Sequence, residues 1–381
     1  MSPLDVERSI VLLGAGASRP AGIPTAFEMT NRMLAVFGDD ALQSHHQRAT
    51  RTIVGALQMA AGLRGEESIS NIDIEQVLNA ARLLATRFDT DLSPFVGVWH
   101  PFLEELERLY TAIHIEYIRK FAGANASTEI IQRLSERPGG RSFHTLVGIL
   151  TGKLMKLTWL TDHRKAAYFR PLLEKARDTP LVIATLNYDN AIEITASALC
   201  IPCHTLGDWQ RTAELPECAQ GIDLLKLHGS TNWRWSSRPR TFAGLTPSRT
   251  ISEISPTDMP ERLRIATLYD NTSDIGDSLG VIFGGGNKLT AEGPFLDVLQ
   301  KFKRLLWERS HLLTVGYSFR DVHINYLIEH WFAANPTAKL TIVGAPGTDA
   351  DRDAFCCAHK EEMNRRIFYD GSGVEEALRN C

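Results

Sequence analysis

The fold is decided by residues 9–34, which read SIVLLGAGASRPAGIPTAFEMTNRML. Four consecutive apolar residues, from Ile10 to Leu13, lead directly into the glycine-rich turn Gly14 to Ser18. A short, wholly apolar run that ends in glycines is typical of a buried parallel strand. The backbone amides of such a turn and the N-terminus of the helix that follows offer hydrogen-bond donors and partial positive charge to a phosphate. The stretch therefore predicts a strand, a turn and a helix, with a candidate nucleotide site at the turn.

Two common phosphate-binding patterns are absent from this turn. A Walker A loop requires a lysine followed by serine or threonine, and the turn contains no lysine. The dinucleotide fingerprint has a third glycine three residues after the second, where this chain has Arg19. Because a single Gly-x-Gly is equally compatible with a plain glycine-rich turn, the rest of the chain has to separate these two interpretations.

Composition predicts a soluble globular protein. The chain has 381 residues, of which 44% are hydrophobic and 23% charged, enough for one large domain with insertions or for two domains. A net charge of -4 gives no electrostatic argument for binding nucleic acid or a membrane. With no signal-peptide pattern and no apolar run long enough to span a bilayer, we expect a cytoplasmic protein.

Cysteine usage predicts no metal site. The chain has six cysteines, which is ordinary for a reducing compartment, and its single Cys-x-x-Cys pair is formed by Cys200 and Cys203. A structural zinc ion normally takes four protein ligands, and no second pair is present. We therefore interpret the thiols as buried or incidental.

Residues 40–178 predict an all-helical insert. Apolar residues recur there at spacings of three and four, including in the segment 127–136, and the breaks fall at glycines and prolines. Packing, formation of a lid or oligomerisation are the roles we expect for this insert. His45, His46 and His144 have no partners at ligand spacing, so we interpret them as surface or capping residues.

From residue 179 onward the pattern alternates between strands and helices. The apolar runs that predict strands are 180–186, 223–229, 281–286, 311–316, 339–344 and 366–371. The helical patterns are 190–198, 295–308, 323–334 and 351–365. Such alternation predicts a doubly wound α/β domain with a parallel sheet, formed by residues 1–39 and 179–381. Within it, residues 237–279 are poor in apolar residues and predict an irregular insertion or flap.

Four strand ends, taken in order, resemble motifs of the sirtuin family. They are GAGAS with GIPT downstream, TLNYD at 185–189, LHGS at 227–230 and GYS at 316–318. The family's corresponding motifs are a GAGxS loop with GIP, a TQNxD strand end, a catalytic HG and a GTS-type loop. The resemblance covers about half of the chain. It implies a sirtuin-like variant of the Rossmann fold that takes NAD as its substrate.

The resemblance also implies roles for single residues. Asn187 would position a water beside the nicotinamide ribose, His228 would act as the general base for a ribose hydroxyl, and Asp189 would hold the carboxamide. The remaining contacts to NAD would come from Gly14, Ala15, Gly16, Ser18, Ile23, Pro24, Gly316, Ser318, Gly344 and Asp370. These residue types suit the chemistry, because cleavage of the nicotinamide–ribose bond needs orientation, a water and stabilisation of an oxocarbenium-like cation. A histidine that titrates near neutrality can accept the sugar proton.

Each of these residues also has a purely structural interpretation. His228 could be a core histidine bonded to a carbonyl, Asn187 a turn residue that ends a strand, and Asp189 the N-cap of the next helix. Asp321 and His323, just past the last motif, could be an N-cap and a helix face, or residues of the pocket.

Departures from the family pattern favour hydrolysis. Sirtuin deacylases carry a zinc ribbon after the HG motif, whereas here no cysteine follows His228 until Cys356, and Leu186 replaces the glutamine of TQN. The zinc module helps to form the cleft that takes an acyl-lysine peptide as an added strand. Water is then the simpler acceptor, which gives an NAD glycohydrolase. A protein deacylase or ADP-ribosyltransferase, and a non-catalytic NAD or ADP-ribose sensor, stay as alternatives.

A narrower resemblance concerns biological role. GYSFRDVHIN at 316–325, together with GIPT, the helical insert and LHGSTNW, is similar to sirtuin-domain NAD hydrolases of prokaryotic antiphage defence. That similarity implies an effector that depletes NAD when it is triggered. Control would come from a separate partner, such as a HerA-type ATPase, or from homo-oligomerisation.

Overall fold

The computed structural model of the protein describes residues 4–65, 72–121, 141–212, 214–216, 218–237, 249–261, 263, 279–282, 293–344 and 350–380. The chain divides into two compact units. We call the first the α/β unit; it comprises Met1–Thr25, Leu157–Met259 and Ser278–Cys381. We call the second the helical unit; it comprises Ala26–Lys156 and Pro260–Asp277.

The secondary-structure elements are numbered along the described chain. The helices are α1 (Ala26–Ala35), α2 (Ala41–Leu63), α3 (Ile74–Ala85), α4 (Pro101–Phe121), α5 (Arg141–Thr158), α6 (Arg170–Glu174), α7 (Ala191–Ala198), α8 (Trp209–Thr212), α9 (Phe295–Glu308), α10 (Val322–Ala334), α11 (Ala350–Ala358) and α12 (Val374–Arg379). The strands are β1 (Ser9–Leu13), β2 (Leu181–Thr185), β3 (Cys203–His204), β4 (Ile222–Lys226), β5 (Gly229–Ser237), β6 (Arg249–Glu253), β7 (Leu279–Val281), β8 (His311–Val315), β9 (Lys339–Val343) and β10 (Ile367–Asp370).

A parallel sheet of seven described strands forms the α/β unit, in the order β10-β9-β8-β1-β2-β4-β3. Every neighbouring pair in it is parallel. The chain leaves β1 on one side toward β2 and returns on the other side at β8, so the strand order reverses at β1. A doubly wound sheet binds ligands outside the carboxyl ends of its strands at such a reversal. The predicted doubly wound parallel sheet is confirmed.

The central strand β1 is wholly buried, as its sequence predicts. All five of its residues are buried, and Ile10 and Leu12 belong to a core that includes Phe302 of α9 and Ile328 of α10. Successive side chains of a strand point to opposite faces, so a strand covered on both faces must be apolar at every position. This burial is what keeps the start of the glycine-rich turn at the middle of the sheet.

A second, smaller sheet departs from the predicted parallel pattern. β5 pairs antiparallel with both β6 and β7. The apolar run 281–286 was expected to be a strand of the parallel sheet, which is wrong for its described residues, since β7 ends at Val281 and lies in the small sheet. A short apolar run does not reveal which sheet it joins. Within the segment 237–279, residues 249–253 form β6, while residues 238–248 and 264–278 lie outside the described residues.

The helical unit contains helices α1 to α4 and most of α5. Its bounds differ from the expected insert at 40–178, because α1 packs on α3 inside this unit, while residues 163–174 pack against α7 in the α/β unit. Capping residues define the starts: Asp40 accepts from two amides of α2, and Asp73 forms a capping box with Gln76 of α3. The helix predicted at 127–136 lies outside the described residues.

The interpretation of His45 and His46 as surface or capping residues is wrong. Both are buried, and they pack around the ring of Tyr110, with ring centroids 5.7 and 5.9 Å from it. His45 Nε2 hydrogen-bonds Ser142 Oγ at 2.9 Å. Adjacent helical positions seldom share a buried face, so two neighbouring histidines did not suggest a core position. His144 is half-buried.

No helix in the described part of the chain is both long enough and apolar enough to cross a membrane.

Candidate active site

The carboxyl ends of six sheet strands form one continuous rim. The residue that follows a strand donates its amide to the last carbonyl of the neighbouring strand, at 2.9 to 3.2 Å. These bonds run from Leu227 to Thr185, Leu186 to Leu13, Gly14 to Val315, Gly316 to Val343, and Gly344 to Asp370. The predicted site residues on β1, β2, β4, β8, β9 and β10 therefore share one edge of the sheet.

The turns after β1 and β8 pack backbone against backbone. Gly16 donates its amide to the Gly316 carbonyl at 2.9 Å, and a Cβ on Gly14 would lie 2.5 Å from that same oxygen. Gly316 has φ +60°, and a Cβ there would lie 2.2 Å from the Ala17 nitrogen. Glycine is required here because the two turns approach each other too closely for side chains. The amides of Gly14 and Gly16 are thus already used, and contact of these glycines with NAD stays a prediction.

The exposed part of the first turn is the start of a 3-10 helix, Ala15–Ala21. Ala15 is exposed, and its amide has no partner among the described residues. Gly22 ends the helix in the left-handed conformation at φ +83°, which directs Ile23 and Pro24 into the interior, where both are buried. The free amide at the start of this helix is the donor that an anion could use.

Tyr168 fixes the same turn from outside. Its hydroxyl donates to the Ala17 carbonyl at 2.7 Å. Burial, and then the nearby charge of Asp189, raise the pKa of Tyr168, so the hydroxyl remains a donor at any physiological pH.

Asn187 connects β2 to the turn after β1. Its Nδ2 donates to the Gly14 carbonyl and to Ser18 Oγ, both at 2.9 Å. Two acceptors at the nitrogen fix the orientation of the amide group, which leaves Oδ1 without a protein partner among the described residues. The side chain is half-buried, so that oxygen can accept a hydrogen bond from a water or a ligand.

Asp189 and Asn190 anchor the start of α7. Asp189 is buried, and its Oδ1 accepts from the Ala191 amide at 2.9 Å. The helix begins at Ala191 with Asn190 as its N-cap, so Asp189 lies one residue before the position that the capping interpretation gave it. Asn190 exchanges two hydrogen bonds with the backbone of Leu160, at 2.7 and 2.9 Å. These contacts hold the segment from Asn187 to Asn190 rigidly at the end of β2, and a contact of Asp189 with a carboxamide stays a prediction.

His228 lies at the end of β4 and contacts a carboxylate from the other side of β1. Its Nε2 is 2.8 Å from Oδ2 of Asp321, and the side chains of both residues are 7% exposed. Oδ1 of Asp321 accepts from the amides of His323 and Ile324, at 3.1 and 3.3 Å, so this residue also caps α10. The N-cap interpretation of Asp321 therefore describes contacts it makes, while its role in a pocket stays a prediction.

A buried ion pair supports the segment beneath His228. Lys226 is 1% exposed, and its Nζ lies 2.7 Å from Oε1 of Glu193. The same ammonium donates to the Asp189 carbonyl and to Ser230 Oγ. Burial raises the pKa of Glu193, and the positive charge of Lys226 opposes that rise. Lys226 therefore links the strand ends that carry Asp189 and His228.

The loop after β8 is braced internally. Phe319 has φ +59°, which is unusual for a residue with a bulky side chain, and Asn325 Nδ2 donates to its carbonyl at 2.5 Å. Tyr317 donates its hydroxyl to Asn325 Oδ1 at 2.7 Å. Ser318 is half-buried, and its Oγ accepts from Arg320 Nε at 3.2 Å.

The ends of β9 and β10 meet at the far side of the rim. Gly344 is buried, and its carbonyl accepts from the Tyr369 hydroxyl at 2.8 Å. A Cβ on Gly344 would lie 2.9 Å from a guanidinium nitrogen of Arg352. Asp370 Oδ1 accepts from the amide and the hydroxyl of Ser372, at 2.9 and 2.5 Å, so this carboxylate is engaged by its own turn. A role for Gly344 and Asp370 near an adenine stays a prediction.

The described residues do not fit a zinc ribbon. They contain no group of three or more His, Cys, Asp or Glu side chains that could hold a metal ion. Cys356 and Cys357 are successive residues of α11, and the half-buried Cys203 lies in β3. Burial raises the pKa of Cys203 well above its usual value, which disfavours the thiolate that metal binding needs.

This combination of a parallel sheet, an asparagine after β2 and a histidine after β4 agrees with a family comparison. Residues 181–366 match the SIR2-like domain model. The matched region begins at β2 and includes Asn187, Asp189 and His228, whereas the turn after β1 and Asp370 lie outside it.

Similar solved structures are sirtuins, at low similarity. Sir2Tm bound to a propionylated peptide is 13% identical, with a TM-score of 0.39, over 98% of this chain and 92% of that chain. A structure on sirtuin substrate affinity is 15% identical, with a TM-score of 0.38, over 98% of this chain and 93% of that chain. Similarity at this level transfers no residue roles. No curated protein matches the chain.

Three polar residues of the matched region 181–366 were missed or undervalued from sequence. Lys226 has a recognisable signal, since a lysine inside the apolar run 223–229 must have a buried partner. Glu193 carries no such signal, because an acidic residue in the first turn of a helix is ordinary. The contact of Asp321 with His228 joins residues far apart in sequence, and no local pattern reveals it.

Proposed function

We propose that this protein is an NAD glycohydrolase, which cleaves NAD to nicotinamide and ADP-ribose. The observation that carries the proposal is that Asn187 and His228 follow β2 and β4, two hydrogen-bonded neighbours in the sheet. Neighbouring strands are about 4.8 Å apart, so both side chains lie at one short stretch of the rim. The turn after β1, which is bonded to Asn187, completes that stretch with an unpartnered amide at Ala15.

The two side chains are suited to complementary steps. With its nitrogen fixed by Gly14 and Ser18, Asn187 can accept a hydrogen bond from water through Oδ1 and so orient it. The nitrogen of His228 that does not face Asp321 can accept a proton from a ribose hydroxyl. As the bond between ribose and nicotinamide breaks, its electron pair leaves with nicotinamide. The water oxygen then bonds to the anomeric carbon and releases one proton to the solvent, while His228 returns its proton to the ribose oxygen.

Water is the proposed acceptor, rather than a peptide. The cysteine positions do not fit the zinc module that would complete a peptide cleft, and the segment after His228 instead forms β5 of the small antiparallel sheet. The roles of the NAD-contacting residues, Gly14, Ala15, Gly16, Ser18, Ile23, Pro24, Asp189, Gly316, Ser318, Gly344 and Asp370, belong to the same proposal.

Incubation of the purified protein with NAD, with and without an acyl-lysine peptide, tests the activity. We expect nicotinamide and ADP-ribose in equal amounts without peptide. Asn187→Ala and His228→Ala should lower the rate by about 100-fold or more, since general acid–base groups contribute at least that much. His163→Ala, an exposed histidine of the same unit, is the control and should leave the rate unchanged.

Three results would contradict hydrolysis. Nicotinamide release only in the presence of peptide would indicate a deacylase, and label from NAD on a protein would indicate an ADP-ribosyltransferase. Binding of NAD with no turnover under any condition, including in lysate from phage-infected cells, would indicate a sensor.

We further propose that the activity serves antiphage defence. The motif GYSFRDVHIN and the helical unit support this proposal through their similarity to NAD-depleting effectors. Control would come from homo-oligomerisation or from a partner such as a HerA-type ATPase. Cells that carry the gene should lose NAD and survive as a population after phage challenge, whereas cells with Asn187→Ala should not. Unchanged NAD levels across a broad phage panel would contradict this role.

A further inference from the structure

The contact between His228 and Asp321 determines which ring nitrogen can act as a base. An ionised carboxylate offers only lone pairs, and the lone pair of an unprotonated Nε2 at 2.8 Å would be repelled, so the proton of the neutral His228 ring lies on Nε2. The neutral ring then has its lone pair on Nδ1. Nδ1 has no hydrogen-bond partner among the described residues, so it is the nitrogen available to a substrate hydroxyl.

Asp321 is itself held from two sides. Its Oδ1 is occupied by the amides of His323 and Ile324, which leaves Oδ2 to face the imidazole. The N-terminus of α10 adds partial positive charge beside the carboxylate and favours its ionised form. Rotation of the carboxylate would break the hydrogen bonds of Oδ1 to the two amides and move Oδ2 away from the imidazole.

The backbone that carries Asp321 is also constrained. The Tyr317 hydroxyl lies 3.2 Å from the Asp321 carbonyl, and Asn325 bonds both Tyr317 and Phe319. A left-handed phenylalanine persists only where its surroundings stabilise it, and such positions cluster at functional sites. The loop therefore presents the carboxylate to His228 in one orientation.

We propose that Asp321 is a positioning residue for His228: it holds the imidazole as the Nε2–H tautomer, directs Nδ1 toward the ribose, and stabilises the imidazolium that forms when Nδ1 takes a proton. This role rests on the proposed NAD cleavage for its chemistry. The tautomer itself is a property of the protein without NAD, so the two proposals are tested separately.

Asp321→Asn is the informative substitution. The single amide oxygen can still accept from His323 and Ile324, which turns the NH2 group toward Nε2 of His228. An NH2 group donates, so Nε2 must then accept, and the ring proton moves to Nδ1. The variant therefore keeps the cap of α10, but its Nδ1 is protonated and cannot accept a proton from the ribose.

Nitrogen-15 NMR of the imidazoles, with His228 assigned by its absence in His228→Gln, reads the tautomer directly. We expect the Nε2–H form in the unsubstituted protein and the Nδ1–H form in Asp321→Asn. The rate of NAD cleavage should fall about 100-fold or more in that variant, with KM for NAD within about threefold. Asp40→Asn, at the N-cap of α2, loses a capping charge without facing a histidine and should change neither readout.

Asp321→Ser separates capping from positioning, because serine also caps helices but cannot reach the imidazole as a carboxylate does. It should lose activity as Asp321→Asn does while the thermal midpoint stays near that of the parent. An Nδ1–H ring in the unsubstituted protein would overturn the proposal, as would folded Asp321→Asn and Asp321→Ser variants with full turnover. If NAD is not cleaved at all, the proposed function fails, and the tautomer shift still tests the role of Asp321.

Discussion

The side-chain amide of Asn187 is bonded to Ser18 Oγ at 2.9 Å, which joins the proposed water-orienting residue to the turn that would bind the substrate. Substitution of Asn187 therefore removes two things at once: a group at the reaction centre, and a link that fixes the turn after β1. A change at Ser18 affects the second, together with the contact to NAD proposed for Ser18 itself, but leaves the group at the reaction centre in place.

Ser18→Ala should weaken substrate binding more than it slows the chemical step. Loss of one hydrogen bond is worth about 1 kcal/mol, so we expect KM for NAD to rise about fivefold and kcat to change by less than twofold. Steady-state kinetics measure both constants. Ser197→Ala, at an exposed position of α7, is the control. If kcat fell as far as in Asn187→Ala, Ser18 would belong to the reaction centre instead.

Gly316→Ala should destabilise the α/β unit more than an ordinary left-handed glycine does. Gly22 is left-handed at φ +83° with nothing near its Cβ position, so Gly22→Ala should cost only about 1–2 kcal/mol of unfolding free energy. At Gly316 the methyl would lie 2.2 Å from the Ala17 nitrogen, which should add roughly 1–3 kcal/mol. Thermal unfolding of the two variants measures the loss of stability in each. Equal losses would mean that the turns after β1 and β8 can move apart to admit the methyl group without a further cost in stability.

Lys226→Met should unfold the protein more easily, because it leaves Glu193 without its counter-ion. Breaking a buried pair by removal of one partner costs about 3–5 kcal/mol. The double variant Lys226→Met with Glu193→Gln also removes the uncompensated negative charge of Glu193, so it should recover part of the lost unfolding free energy. Denaturant unfolding measures each step of the cycle. An additive double variant would mean that the two side chains do not interact.

The helical unit should lose stability in acid through its buried histidines. Burial, with a smaller effect of Arg48, lowers the pKa of His45 to about 4, and burial lowers that of His46 to about 3. An unfolded histidine titrates near 6.5, so above that pH neither state binds the proton. As pH falls below about 6.5 the unfolded state binds it first, and stability declines until the folded pKa values are reached.

Unfolding free energy measured from pH 8 to pH 4 tests this expectation. His46→Leu should flatten the acid decline, since it removes the group with the larger shift. His163→Ala, at an exposed position, should leave the decline unchanged. A parent protein equally stable at pH 7 and pH 4.5 would contradict the neutral, buried state of the two rings.

The pattern of apolar residues was sufficient to predict many of the strands and helices of the α/β unit. The run after Ser9 and the run at 311 became β1 and β8, and the helical pattern at 295–308 is α9 with the same bounds. Each of these elements is buried along one whole face or on both faces. The apolar residues in its sequence therefore follow the pattern that a buried helix or strand requires. The apolar runs also predicted which residues lie at the rim, because the carboxyl ends of parallel strands share one edge of a sheet.

Contacts between distant residues could not be predicted. No residue near His228 in the sequence indicates Asp321, and the start of one helix does not distinguish a capping aspartate from one that also faces a histidine. His45 and His46 are buried because of the way α2 packs on neighbouring helices. Two adjacent histidines in the sequence do not indicate that packing. The antiparallel pairing of β7 likewise depends on β5, whose partner strands lie on either side of residues 264–278.

The placement of β1 has a consequence for biosynthesis. Ser9 is hydrogen-bonded to His311, a residue 302 positions later, and the other neighbour of β1 begins only at Leu181. A nascent chain must therefore keep this apolar segment unpaired while the ribosome makes Ala26–Lys156 of the helical unit. Sheets closed by such remote partners form slowly and expose apolar surface meanwhile. Of the seven described strands of this sheet, β1 is translated before the other six and is among the last to find both of its neighbours.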